Sequence, residues 1–97
     1  MSNWFVYLIR CNDNSLYTGI TTDVDRRLQE HQGKDNKGAK YLKGKGPIEL
    51  VWKHNARDRS EASKFEYAIK QLKKDKKEQL IADDSIFFKT LTLSANI

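Results

Sequence analysis

The sequence predicts an α/β domain of the α+β kind, in which helices flank a small three-stranded sheet. Its strongest β signal is residues 4–10, where apolar side chains occur at both parities, as in a strand covered on both faces. Two further extended segments and two segments with helical apolar spacing follow it. The predicted order is therefore β-β-α-β-α, with a possible third helix at the end.

The first half of the domain follows from turn and cap signals. The turn-rich residues 12–15 separate residues 4–10 from an extended segment at 16–20, which predicts a β-hairpin whose first strand is central in the sheet. Thr22 offers an N-cap, with Asp25 three residues later, for a helix from about residue 23 to residue 32.

The second half contains the third strand and the longest helix. Residues 48–54 form an extended run with Pro47 at its edge, and residues 55–59 form a turn. Ser60 caps a helix over about 61–74, and 76–82 form a further short helix. The sequence thus predicts one domain over residues 1–84 and a tail over 85–97, which docks or frays.

Composition narrows the classes of protein. The chain has 97 residues with 18 Lys and Arg against 13 Asp and Glu, so it is one small basic domain without an interdomain cleft. Its longest apolar run, residues 4–9, is far shorter than the roughly 20 residues of a membrane span. The single cysteine rules out a cysteine-based zinc cluster and suits a reducing compartment. We therefore expect a cytoplasmic monomer.

Basic side chains concentrate in one Gly-rich loop and on the later helices. Because lysines bind phosphates as point charges, we expect contacts with nucleic acid from both regions. A solvated surface without a partner is the alternative. The lysines that we assign to nucleic-acid binding are Lys34, Lys37, Lys40, Lys43, Lys45 and Lys70.

Three polar residues lie at the rims of predicted apolar helix faces. Arg27 and His31, one turn apart, flank the buried face of the first helix, and Glu66 borders the apolar stripe of the long helix. Each alone has an ordinary explanation as a rim residue that pairs or extends to solvent. Their convergence favours a site.

Tyr7 and Tyr17 lie on the two strands of the hairpin. A two- or four-residue loop would place them on opposite sheet faces, whereas a three- or five-residue loop, or a bulge, would place them on one face. The Asn-rich turn allows either. Gly19 marks a close approach to the backbone or a bulge.

These motifs resemble the GIY-YIG nuclease family. The two tyrosine motifs appear as Val-Tyr-Leu at 6–8 and Tyr-Thr-Gly at 17–19, and an Arg-x-x-x-His helix and a glutamate-bearing helix follow in order. The resemblance covers about residues 3–82 and is closest to small stand-alone bacterial members. It implies functional or framework roles for Tyr7, Tyr17, Gly19, Arg27, His31 and Glu66.

The sequence departs from the family pattern at three positions. Ile20 stands where excision-repair relatives have lysine, His31 where some relatives have tyrosine, and Glu78 near a position where some have asparagine. The first departure removes or relocates one cation that would bind phosphate or activate a tyrosine.

The resemblance implies a metal-dependent endonuclease acting on DNA, with branched or damaged DNA as candidate substrates. Glu66 would be the only protein ligand of one Mg²⁺ or Mn²⁺ ion, and Arg27 would contact the non-bridging phosphate oxygens. Tyr17, with Tyr7 as the alternative, would take the proton from water, while the other tyrosine and His31 orient water or phosphate.

Two other functions remain open from the sequence. One is a nucleic-acid-binding module with little catalysis, motivated by Ile20 and by the lack of a second targeting domain. The other is a protein-interaction domain. In the nuclease interpretation, a partner protein would deliver the small domain to its substrate.

Overall fold

The computed structural model describes residues 3–32 and 47–87. It contains strands β1 (Trp4–Arg10), β2 (Leu16–Thr21) and β3 (Glu49–Ala56) and helices α1 (Val24–Gln32), α2 (Arg59–Lys70) and α3 (Lys74–Ala82). The three strands form one antiparallel sheet in the order β2-β1-β3. The predicted class, the element order and the central position of β1 are confirmed.

A three-residue loop closes the hairpin between β1 and β2. The Asn14 amide donates to the Cys11 carbonyl and the Cys11 amide donates to the Ser15 carbonyl, each at 2.9 Å. Asn14 adopts a left-handed backbone with φ of 68°, a conformation that asparagine tolerates better than most residues. The sequence allowed a loop with either an even or an odd number of residues, and the structure has an odd number.

The odd loop determines which side chains share a face. Tyr7 pairs with Gly19, and Ile9 pairs with Tyr17, without a register shift between these two strands. Because directly paired residues point to the same side, both tyrosines lie on one face. We call the face carrying Tyr7, Ile9, Tyr17 and Gly19 the tyrosine face, and the opposite one, carrying Val6, Leu8, Thr18 and Trp52, the core face.

The helices divide between the two faces. Helix α1 packs through Leu28 on the tyrosine face, next to the buried Tyr7 and Ile9. Helices α2 and α3 pack through Ile69 and Leu80 on the core face. The main apolar cluster of that face consists of Val6, Leu8, Trp52, Ile69, Leu80 and Phe87.

Both predicted N-caps were wrong, by one residue for α1 and by two residues for α2. In each case a neighbouring aspartate caps the helix in place of the expected hydroxyl. Asp23, rather than Thr22, caps α1 by accepting a hydrogen bond from the Arg26 amide at 3.0 Å. Asp58, rather than Ser60, caps α2 by accepting from the Glu61 amide at 2.8 Å.

Other boundaries also differ from the predictions. Helix α2 ends at Lys70 instead of residue 74, and α3 then begins at Lys74 instead of residue 76. Strand β3 spans Glu49–Ala56 rather than 48–54, because Trp4 continues to pair with Ala56 across the sheet. The predicted turn at 55–59 is correspondingly shorter.

The described part of the tail packs against the core face. A short 3₁₀ turn, Asp84–Ile86, follows α3, and Phe87 is almost completely buried. The Phe87 ring centroid lies 4.4 Å from that of His54 and 5.1 Å from that of Phe65. Residues 88–97 and the predicted phosphate-binding lysines 34, 37, 40, 43 and 45 lie outside the described residues. Within the described ranges no helix is long and apolar enough to cross a membrane.

Candidate active site

The Tyr7 hydroxyl is the centre of a buried polar cluster on the tyrosine face. Its oxygen lies 3.0 Å from Nε2 of His31, and the guanidinium of Arg27 also hydrogen-bonds it. Arg27 and His31 reach the same hydroxyl because they are one turn apart on α1, which Leu28 anchors to the sheet. The predicted position of both residues beside the packed helix face thus becomes a direct contact with β1.

Gly19 makes room for the Tyr7 ring. A Cβ atom at position 19 would lie 2.5 Å from the Tyr7 hydroxyl oxygen and 2.6 Å from Cζ, far inside van der Waals contact. The pairing of β1 with β2 is regular here, so the bulge that the sequence left open is absent. A side chain at position 19 would displace the phenol from its partners.

Tyr17 completes a group of three rings. Its ring centroid lies 6.4 Å from that of Tyr7 and 5.5 Å from that of His31, with an edge-on arrangement to the histidine. Tyr7 is 2% exposed, whereas Tyr17 is only half-buried. Of the two phenols, Tyr17 is therefore the one that solvent and a substrate reach more easily.

Burial keeps the centre of the cluster uncharged near neutral pH. Desolvation, followed by the neighbouring Tyr17, raises the pKa of Tyr7 to about 12, although Arg27 opposes the shift. Desolvation, followed by the positive charge of Arg27, lowers the pKa of His31 to about 4. Since Arg27 can only donate to the Tyr7 oxygen, we assign the phenol proton to the hydrogen bond with Nε2 of His31.

Arg27 is held in place by a second partner. Its Nη1 donates to Oε1 of Glu30 at 3.0 Å, in an ion pair between residues one turn apart. The guanidinium side chain remains 30% exposed. Arg27 therefore joins the buried phenol to the surface.

Glu66 approaches the cluster from another element. It lies on α2, which contacts the edge strand β2, and its side chain is 25% exposed. Burial is the main cause of the raised pKa of Tyr7, and the negative charge of Glu66 is the smallest of its causes. Nζ of Lys70 lies 3.5 Å from Oε2 of Glu66, across one helical turn.

The donor set restricts which metal ion could bind. In residues 3–32 and 47–87 no group of three or more His, Cys, Asp or Glu side chains could hold an ion. A single partly exposed carboxylate fits a hard, hydrated ion such as Mg²⁺, which keeps several waters and takes phosphate oxygens as further ligands. Glu66 meets that requirement.

The departures from the family pattern have structural explanations. Ile20 packs against the core-face cluster, so this position holds an apolar contact in place of a cation. Glu78 forms a two-pronged ion pair with Arg10, with both N···O distances 2.6 Å, and also accepts from Lys74. The hydrogen bonds from Arg10 and Lys74 lower the pKa of Glu78 to about 2. Glu78 thus fastens α3 to β1.

One cation on the tyrosine face, Lys53, could not be recognised from the sequence alone. Lys53 on β3 pairs directly with Tyr7, is exposed, and places its Nζ 5.7 Å from the centre of the Phe5 ring. Residue alternation along β3 could have indicated it, but only once the register with β1 was known. Lys53 is the described cation whose backbone lies directly beside Tyr7 in the sheet.

The GIY-YIG catalytic-domain family model matches residues 3–79. The chain belongs to the GIY-YIG catalytic-domain family, whose members are generally nucleases.

Similar bacterial proteins extend over the same region. A UPF0213 protein of Cronobacter sakazakii is 59% identical over 87 residues, covering 90% of each chain. The UPF0213 protein YhbQ of Escherichia coli is 52% identical over 92 residues, covering 95% of this chain and 90% of that one. The match to the small stand-alone bacterial members is confirmed.

Two solution NMR structures share the fold. The UPF0213 protein BH0048 of Bacillus halodurans has a TM-score of 0.53 and 48% identity, covering 82% of this chain and 83% of that one. Protein EF2693 of E. faecalis has a TM-score of 0.60 and 34% identity, with coverages of 89% and 90%.

Proposed function

We propose that this protein is an endonuclease that hydrolyses phosphodiester bonds in DNA with one Mg²⁺ or Mn²⁺ ion, branched or damaged DNA being the candidate substrates. One observation carries the proposal. Arg27 and His31 hydrogen-bond the buried Tyr7, Tyr17 lies against them, and the charge of Glu66 acts on the same hydroxyl. Packing alone would be served by apolar side chains at these positions, because burying polar groups costs free energy that their hydrogen bonds only offset.

Hydrolysis forms a bond from a water oxygen to phosphorus and breaks the bond from phosphorus to a sugar oxygen. The arginine fork of Arg27 would bind the non-bridging oxygens, on which negative charge grows. Tyr7 and His31, both neutral near pH 7, hold Arg27 in position and orient the water or the phosphate. Lys70 and the loop lysines would attract the phosphate backbone from a distance.

A base must take the proton of the attacking water. Tyr7 is unsuited to this role because its pKa of about 12 keeps it protonated and its oxygen already contacts two partners. The more exposed Tyr17 is therefore our choice of base. It would act as the phenolate, with a neighbouring cation such as Arg27 stabilising the negative charge, and would become the neutral phenol when it takes the proton. The sugar oxygen leaves with a proton from solvent, so the overall step consumes one water.

Glu66 would hold the metal ion. A bound Mg²⁺ supplies Lewis-acid stabilisation of the charge on the phosphate and on the leaving oxygen. Glu66 would hold the ion through its carboxylate, whose Oε2 lies 3.5 Å from Nζ of Lys70. Lys70 would lie close enough to the ion to contact a phosphate beside it.

Cleavage of labelled branched and linear DNA, with Mg²⁺, Mn²⁺ or EDTA, tests the proposal. We expect metal-dependent cleavage by the wild type and a loss of about a thousandfold or more in Glu66→Gln, because the substitution removes the metal-binding charge while keeping the shape. The matched control is Glu61→Gln, which neutralises the other carboxylate of α2 and should retain cleavage.

Two results would contradict the proposal. One is no cleavage by the wild type under any metal condition, and the other is equal cleavage by the wild type and Glu66→Gln. DNA binding that persists with a steep salt dependence, without cleavage, would instead identify a nucleic-acid-binding module.

A further inference from the structure

We propose that Tyr67 is a base-stacking residue, whose exposed ring takes an unpaired base beside the phosphate that is bound near Glu66. This inference rests on the proposed function and adds the substrate class to it. The class is a nucleic-acid strand in which at least one base next to the cleaved bond is unpaired.

The exposure of Tyr67 is the first observation. Its ring is 68% exposed, and it is the large hydrophobic side chain that stands out to solvent in the described part of the chain. Of the buried residues of α2, Ala62 and Ile69 lie on the opposite side of the helix and Ala68 lies about a quarter of a turn away. Packing of the domain therefore does not account for an aromatic residue at this position.

The charges around Tyr67 are the second observation. Lys64 and Lys70 lie three residues before and after it, so one exposed lysine flanks the ring on each side of the helix surface. Lysines attract phosphates, and an aromatic ring offers a surface on which any base can stack. Cations on both sides of an exposed ring match a single strand, whose phosphates and bases are both accessible.

The position relative to Glu66 is the third observation. Tyr67 is the next residue along α2, and Lys70 bridges the two positions, with its Nζ 3.5 Å from the Glu66 carboxylate. A strand with one phosphate on Lys70 would therefore present a neighbouring nucleotide to the Tyr67 ring.

A paired base cannot use this surface. In a duplex each base is covered by its stacked neighbours and hydrogen-bonded to its partner, so contact with a ring requires unstacking at a cost of a few kcal/mol. A nick, flap, loop or single strand offers the base without that cost. Stacking at Tyr67 would therefore favour strands that are unpaired beside the site.

The experiment compares binding of one fluorescein-labelled oligonucleotide, single-stranded or annealed into a duplex, in EDTA so that no cleavage occurs. We expect Tyr67→Ala to weaken single-strand binding by about tenfold, the loss typical of one base–aromatic stack. Duplex binding should change by less than about twofold. Tyr67→Trp should restore single-strand binding, because an indole ring also stacks.

Ser63→Ala is the matched control, since it lies one turn before Tyr67 on the same exposed side and should leave binding unchanged. Thermal unfolding of Tyr67→Ala should match the wild type, because the ring is exposed. Any of three results overturns the inference: no single-strand binding by the wild type, equal binding by Tyr67→Ala, or equal losses for single strand and duplex.

Failure of the nuclease proposal gives a different pattern from failure of this one. Tyr67-dependent single-strand binding without cleavage in Mg²⁺ would remove the nuclease and leave the stacking surface. Cleavage that depends on Glu66 but not on Tyr67 would support the nuclease and remove the stacking surface.

Discussion

The two faces of the sheet are built from the same strands but hold side chains of opposite character. On the core face, Leu8 is fully buried among aliphatic and aromatic groups. On the tyrosine face, its neighbour Tyr7 is almost as buried, yet its hydroxyl contacts Arg27 and His31. Burial alone therefore does not distinguish the two residues. They differ in the groups that their side chains contact.

This difference indicates how a domain of 97 residues can hold both a core and a candidate site. The period of two along a strand sends consecutive residues to different faces, so one strand supplies both. The core face contains the main apolar cluster, joined by two helices and Phe87. The tyrosine face is covered by α1, which brings polar groups to the sheet.

Leu8→Ala should show the largest effect on stability. Removing a fully buried leucine leaves a cavity, and we expect the free energy of unfolding to fall by about 3 kcal/mol. Urea unfolding measures this value. Below the unfolding transition, cleavage per folded molecule should stay at the wild-type rate. An equal loss of rate in the folded protein would mean that the two faces are not separable.

Gly19→Ala should have the next largest effect, about 2 kcal/mol, because its methyl group would overlap the Tyr7 ring. A double-mutant cycle with Tyr7→Ala isolates this clash. Gly19→Ala should cost much less stability when Tyr7 is already alanine. If Gly19→Ala lowered the free energy of unfolding equally in both backgrounds, glycine would be required by the backbone conformation and not by the Tyr7 ring.

The smallest effect is a pH dependence of stability that comes from His31. Its pKa is lowered from 6.5 to about 4 in the folded protein, so protons bind the unfolded state more tightly. The stabilisation is present above pH 6.5 and is lost as the pH falls towards 4, with about 1 kcal/mol lost between pH 6.5 and pH 5.5. Urea unfolding of the wild type and His31→Gln should differ in slope over this range. If the free energies of unfolding of the two proteins changed in parallel with pH, His31 would not be a buried neutral residue.

Much of the fold could be predicted from local patterns. Apolar side chains at both parities indicated that β1 is central, since such a strand must be covered on both sides. Residue spacing on the helices placed Arg27 and Glu66 at the rims of packed faces, where both are partly exposed. It placed His31 at a rim as well, but that ring is buried. The correct predictions succeeded because period and burial are properties of single elements.

Features that depend on contacts between elements could not be predicted in the same way. The loop parity rested on the left-handed backbone of Asn14, which an Asn-rich turn permits at more than one position. The pairing of Arg10 with Glu78 joins residues 68 positions apart. Lys53 acquired its place beside Tyr7 only through the register of β3.

The central claim is that the tyrosine face carries out phosphodiester hydrolysis while the core face only supports it. Two adjacent residues of β2 test this claim. Tyr17→Phe removes one hydroxyl from the tyrosine face, and Thr18→Val removes one hydroxyl from the core face. Thr18 is a suitable control since its buried hydroxyl has no hydrogen-bond partner.

The decisive measurement is the single-turnover rate of DNA cleavage in Mg²⁺ for the wild type, Tyr17→Phe and Thr18→Val. We predict a loss of about a hundredfold or more for Tyr17→Phe, as expected when a general base is removed, and a wild-type rate for Thr18→Val. Cleavage by Tyr17→Phe at the wild-type rate would contradict the account.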